Sequence, residues 1–200
     1  MHWFMDSLAA VGLVSLVAVL GYWLKRVWWL PRQARLQRKQ FIANIGKEVL
    51  FGVMLPDGQD GFFHVDALLL TDIGVVVLDI RDWDGMIYGA ENMHEWTVMH
   101  HNGRYTIPNP LSSLYDRIAV IRPVLGEWLP VQGRVLFGPN ASFPKGRPHW
   151  VSVLEEMPME FQTRPPGPGE ILDLHAPNAQ AAWQRLKSLT SPSPHRVLAR

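Results

Sequence analysis

The chain of 200 residues contains no cysteine. That excludes a disulfide framework, a thiolate zinc site, an iron–sulfur cluster and a cysteine nucleophile. Charge is scarce as well, at 18% of residues. With 48% hydrophobic residues, the chain has ample material for a core, which excludes disorder of the whole. No P-loop pattern, no H-E-x-x-H and no G-x-S-x-G elbow occurs, so nucleotide-binding loops, zincin sites and α/β-hydrolase triads lack a sequence basis.

The formal net charge of +1 hides an asymmetry. Through residue 40 there are six cations (Lys25, Arg26, Arg32, Arg35, Arg38 and Lys39) against the single acid Asp6, a net of +5. From residue 41 onward thirteen cations face seventeen acids, a net of −4. A basic stem is joined to a mildly acidic body. Such a split points to a membrane surface or a nucleic acid near the stem.

Within the stem, Ser7 to Leu24 is a run of eighteen residues without a charge. At about 1.5 Å per residue it covers most of a ~30 Å hydrocarbon layer. Trp23, Trp28 and Trp29 gather at one end of it, where amphipathic rings favour the interface. Every stem cation follows the run and none precedes it. The positive-inside rule then predicts a single-pass anchor in the plasma (inner) membrane, its short N-terminus outside and the body in the cytoplasm. A signal peptide fits less well, because its n-region should be basic. The expected layout is an anchor over residues 1–30, a main domain over 31–157, and a proline-rich segment with a closing strand and helix over 158–200.

Helical spacing is expected from about Arg32 to about Leu50. Turn signals at Pro56-Asp57-Gly58 precede a predicted strand from Phe62 to Leu70, and Val75 to Ile80 reads as a strand buried on both faces. Asn102-Gly103 marks a hairpin between two short strands. Asn109-Pro110 opens a helix whose Leu111, Leu114, Ile118, Ile121 and Leu125 fall at helical spacing. A strand over Val131 to Phe137, a late one near Trp150 to Leu154, and a helix from about Pro177 to Leu189 complete an α/β pattern around a mostly buried sheet.

Two carboxylates stand out. Asp66 lies inside an apolar strand, and Asp79 ends the otherwise apolar run of the next one. A carboxylate so placed is costly unless it is paired, hydrogen-bonded or metal-bound. Side chains two apart on a strand share a face, so Arg81 accompanies Asp79. Two readings are open at this point. The carboxylates hold a hard cation such as Mg²⁺ or Mn²⁺, or they cap strand ends and pair with Arg81 and a neighbour. His64 could share the same face, although a packing or surface role fits it better. Lys145, in Phe143-Pro144-Lys145-Gly146, is a weaker candidate for phosphate contact.

Six pieces recur in one order: Gly46-Lys47-Glu48-Val49, Val65-Asp66, Gly74 through Arg81, Gly85-Met86-Ile87-Tyr88-Gly89, Trp96, and Asn109-Pro110-Leu111. Over roughly residues 41–155 this resembles the nuclease-related domain (NERD) family of the restriction-endonuclease-like PD-(D/E)xK superfamily. The resemblance implies a restriction-endonuclease-like core, a central mixed sheet flanked by helices; the apolar run places one transmembrane helix before it. It further implies metal ligation by Asp66 and Asp79, with the Ile80 carbonyl as a further ligand, phosphate contact by Arg81, and an assisting role for Glu48 from the first helix. The implied activity is Mg²⁺- or Mn²⁺-dependent cleavage of DNA or RNA, or nucleic-acid binding. The alternative is a catalytically inactive scaffold with the same fold at the cytoplasmic face of the membrane. Four departures point to a degraded or altered site, one of them the shorter Asp79 in place of Glu, which the superfamily tolerates. Arg81 stands where the family has lysine and cannot serve as a base. Ala67 replaces a frequent His, and Ser113 a frequent Gln.

Overall fold

The computed structural model describes residues 19–23, 25–158 and 172–193. The chain divides into two compact units, residues 1–42 and 43–200. In the first, residues 19–23 are helical and a π-helical turn over Lys25–Trp29 leads into α1 (Leu30–Ala43). Residues 7–18, most of the apolar run, lie outside the described residues. Among the described residues no helix is long and apolar enough to cross a membrane.

The second unit begins with a correction. Instead of a helix continuing to about Leu50, the chain turns and enters a strand, β1 (Glu48–Pro56). Val49 to Leu55 is a short run without a polar residue, ambiguous between helix and strand by itself, and it becomes a strand because a partner strand is present. The partner is β2 (Phe62–Thr71), antiparallel to β1 with Glu48 opposite Leu70 and Phe51 opposite Ala67. The turn after β2 is tight. Gly74 has φ of 122°, and a Cβ there would come within 2.2 Å of the Pro130 carbonyl oxygen, so only glycine fits.

β3 (Gly74–Arg81) pairs antiparallel with β2 and parallel with β7 (Val131–Phe137). β9 (Val151–Val153) and β10 (Ser191–Pro192) complete a six-stranded mixed sheet in the order β10-β1-β2-β3-β7-β9. Glycine at position 85 (φ 110°) starts a separate sheet rather than extending this one. β4 (Gly85–Tyr88), β5 (Glu95–His100), β6 (Gly103–Pro108) and β8 (Ala141–Ser142) form a second mixed sheet in the order β6-β5-β4-β8. The expected single central sheet is therefore two, and the class is mixed α/β.

Two helices cover one face of the large sheet. α2 (Pro110–Leu125) buries Leu111, Leu114, Ile118, Ile121 and Leu125, as the spacing predicts. Its start is fixed by Asn109, whose Oδ1 accepts from the Leu111 N–H at 2.9 Å. The Asn109 amide nitrogen also donates to the carbonyls of Glu91 and Met93. Asparagine is thus both a helix cap and a clamp on the loop before β5. Close approach of α2 depends on Gly133 in β7, where a Cβ would lie 2.6 Å from Ile118 Cδ1. α3 (Pro177–Leu189) adds Ala182, Trp183 and Leu186 to the same core. Trp96 is fully buried against Phe137, and a Cβ on Gly89 would enter its ring. Most of the recurring pieces of the sequence are therefore packing and turn requirements.

Candidate functional site

The register of the large sheet decides which side chains meet. Val77 stands opposite Leu68 on β2 and Gly133 on β7, on the face covered by α2. Counting by two from Val77 puts Asp79 and Arg81 on that face, and counting back from Leu68 puts Asp66 and His64 there. The structure brings these four together.

Pairing of β2 with β3 stops at Ala67 and Leu78. Beyond it the Asp66 side chain takes over. Its Oδ2 accepts the Ile80 backbone N–H at 2.7 Å, so a donor left by the diverging strands is satisfied by a carboxylate. The other oxygen, Oδ1, lies 3.5 Å from His64 Nδ1. Burial pushes the Asp66 carboxyl above its ordinary pKa. The Ile80 N–H opposes that shift, the Asp79 carboxylate adds to it, and His64 and Arg117 oppose it. The Ile80 backbone is thus held at the site through its N–H.

Asp79 is only 3% exposed. Its Oδ2 accepts from two guanidinium groups, Arg81 Nη2 at 2.7 Å and Arg117 Nη1 at 3.0 Å. Arg81 lies over the Trp83 ring, 5.3 Å from its centroid, and Trp83 in turn packs on Phe137. A cation over an aromatic face is held in direction as well as in charge. Arg117 comes from the middle of α2. Its Nε donates to the His64 carbonyl at 2.9 Å, and its Nη1 also reaches Ser113 Oγ at 3.3 Å. One arginine thereby joins α2, β2 and β3.

Arg117 is the residue sequence reading missed. It lies one turn beyond Ser113, flanking the buried stripe of α2, and its partner Asp79 is 38 positions away. The only local signal is a cation beside an apolar stripe.

Glu48 requires correction. It sits at the start of β1 rather than on a helix, opposite Leu70. Four residues of strand separate that level from Asp66, about 13 Å at ~3.3 Å per residue. There Glu48 accepts from Trp183 Nε1 at 2.6 Å and from Lys187 Nζ at 2.5 Å, both on α3. The Lys187 hydrogen bond lowers the Glu48 pKa; burial opposes this, and Trp183 adds to the lowering. Glu48 fastens α3 to the sheet and takes no part at Asp66 and Asp79. Lys145 is also elsewhere, with its ammonium 6.0 Å from the Tyr88 ring centroid on the second sheet. His100 and His101 lie against each other at the β5–β6 turn, their rings tilted by 50° with centroids 3.8 Å apart.

The nuclease-related domain family matches residues 32–138. An uncharacterized protein of Bacillus anthracis is 26% identical over 86 residues, 43% of this chain and 41% of that protein. The chain therefore spans less than half the length of this curated relative. No solved structure matches the chain. The match supports a nuclease-related or nucleic-acid-binding role. The family is related to PD-(D/E)xK nucleases, which are usually metal-dependent.

The residues present do not fit a divalent ion. Among the described residues no three acidic or imidazole side chains are placed so as to hold one ion together, although Asp66, Asp79 and His64 are neighbours. Of the two carboxylates, Asp79 already carries two guanidinium donors on one oxygen, and Asp66 holds a backbone N–H. Two carboxylates and two guanidinium groups sum to no net charge, which leaves little attraction for a +2 ion.

Proposed function

Because the chain belongs to the nuclease-related domain family, we propose that it is a membrane-tethered nucleic-acid-binding module whose restriction-endonuclease-like centre no longer hydrolyses phosphodiesters. The carrying observation is the pair of arginines on Asp79. In a hydrolytic centre of this kind the carboxylates are held open for a metal and a lysine helps the water. Here both roles meet a guanidinium. Arginine keeps its proton near neutral pH, so Arg81 cannot take one from water. Its remaining donors suit phosphate, to which guanidinium binds well.

The membrane half of the reading rests on the sequence. An eighteen-residue apolar run, followed by all six stem cations, supports an anchor with the body on the cytoplasmic side. Tyr22, Trp23 and Trp29 are exposed, as side chains meant for an interface would be. A reporter fused after Arg200 should be active only in the cytoplasmic format; a periplasmic signal would reverse the topology.

The alternative is hydrolysis with Mg²⁺ or Mn²⁺ held by Asp66 and Asp79. The shared strand face of those two carboxylates favours it, and the arginines oppose it. One experiment separates the readings. The full-length chain in detergent is mixed with end-labelled single- and double-stranded DNA and RNA, in EDTA and in Mg²⁺ or Mn²⁺. Binding that persists in EDTA and weakens with salt, with no strand shortened, is expected. Metal-dependent shortening that disappears in Asp79→Ala would overturn the proposal, and so would absence of binding to every substrate.

A further inference from the structure

We propose that Arg117 is a built-in counter-ion that keeps divalent cations out of the Asp66–Asp79 centre. The inference rests on the reading of that centre as non-hydrolytic, and it names the residue responsible.

The Asp79-x-Arg81 pattern by itself does not close a metal site. Arg81 is adjacent on the same strand, and a cation beside a carboxylate can coexist with a bound ion when other acids outweigh it. Closure needs a second positive group from elsewhere, and α2 supplies it. Arg117 reaches Asp79 Oδ2 at 3.0 Å, on the same oxygen that Arg81 contacts at 2.7 Å. A hard cation at Asp79 would need a metal–oxygen distance of about 2.0–2.6 Å, placing its charge beside two guanidinium groups. An ion on the other Asp79 oxygen would still share one carboxylate with both guanidinium charges and be repelled by them.

Three observations show that Arg117 is held rather than merely near. Its side chain is 16% exposed, so solvent does not screen it fully. The Nε bond to the His64 carbonyl fixes the plane of the guanidinium. Ser113 Oγ, one helical turn earlier, accepts from Nη1 and is itself tied to the Pro110 carbonyl at 3.1 Å. Glu48 does not restore the balance here, since it is committed to Lys187 and Trp183.

The consequence is specific. Removing the Arg117 charge frees half of the Asp79 donors and leaves two carboxylates against one guanidinium. The centre then acquires a net negative charge and an open carboxylate edge. It should become a site for a hard divalent ion with oxygen ligands.

The test reads metal uptake directly. The full-length chain in detergent is titrated with Mn²⁺, and free Mn²⁺ is followed by electron paramagnetic resonance. The parent is expected to take up no Asp79-dependent ion. Arg117→Gln should bind about one Mn²⁺ per chain, at least tenfold more tightly than the parent. Arg117→Gln combined with Asp79→Asn should lose it again. Arg117→Lys keeps the charge and should remain metal-free. If Arg117→Gln does not fold, Arg117→Met, which preserves an apolar stem, is read in the same way. Asp79-dependent uptake of one Mn²⁺ by the parent would overturn the proposal. A folded Arg117→Gln or Arg117→Met chain that binds none would also do so, as would an Arg117→Lys chain that binds like the glutamine variant. Nucleic-acid binding by the parent is measured separately, so loss of the binding reading leaves the metal result intact and the converse also holds.

Discussion

Asp79 and Glu48 stand on one face of the same sheet, at opposite ends, and each is met by a cation from a covering helix. At one end Asp79 is 3% exposed and receives two guanidinium groups. At the other, Glu48 is 40% exposed in its side chain and receives one ammonium and one indole N–H. The chemistry is similar but the surroundings differ. A buried pair cannot lose a partner without stranding a charge, whereas water replaces a lost partner at a half-open pair. The difference teaches that a carboxylate matching a motif is not thereby part of one site. Glu48 serves the attachment of α3, and Asp79 organises the centre.

The largest break in this comparison should come from Asp79→Ala. It leaves Arg81 and Arg117 facing each other without a counter-ion. The expected loss is about 3 kcal/mol of unfolding free energy, read by denaturant titration. A loss no greater than that of Glu48→Gln would show that the two ends are equivalent.

Glu48→Gln should cost about 1 kcal/mol near neutral pH, because the exposed ion pair contributes little and the indole keeps an acceptor. Its pH dependence carries a sign. The folded-state pKa of Glu48 is lowered, so its contribution is complete above the ordinary carboxylate range and is lost as pH falls through the folded value. Stability curves of parent and variant should converge in acid. A gap that widens there would contradict the Lys187 pairing.

Asp66→Asn should have the smallest effect and the opposite sign. The Asp66 pKa is raised, so its ionisation costs stability as pH climbs from the ordinary carboxylate value through the folded one. Asparagine still accepts the Ile80 N–H. The variant should be more stable than the parent at neutral pH, by less than about 1 kcal/mol, with the advantage disappearing near pH 3–4. Destabilisation at neutral pH would mean that the ionised carboxylate is needed there.

Much of the body was legible along the sequence. The apolar run of β3, the Asn102-Gly103 hairpin and the stripe of α2 are local patterns, and each appears where the pattern places it. β1 is not legible along the sequence, because the apolar positions of the basic segment run on at helical spacing into Val49 and Leu50. The strand exists only by virtue of β2, its partner. At the site, Asp66, Asp79 and Arg81 could be placed together because period two is a local rule. Arg117 could not, since it reaches Asp79 from a different element. The partners of Glu48 are 135 and 139 positions away, on a helix that no local signal ties to β1.

The large sheet ends on one side with β9, three residues long, and on the other with β10, only two. β10 lies against β1, with Pro192 opposite Val53 and Ser191 opposite Met54. Proline has no N–H to offer to a further strand, and a two-residue edge presents almost no template. β1, with its run of valine, leucine and phenylalanine, would otherwise be a long apolar margin inviting another chain to add itself. The short segment after α3 therefore acts as a fence. It limits sheet growth at that edge, and with it the tendency of the chain to polymerise edge to edge.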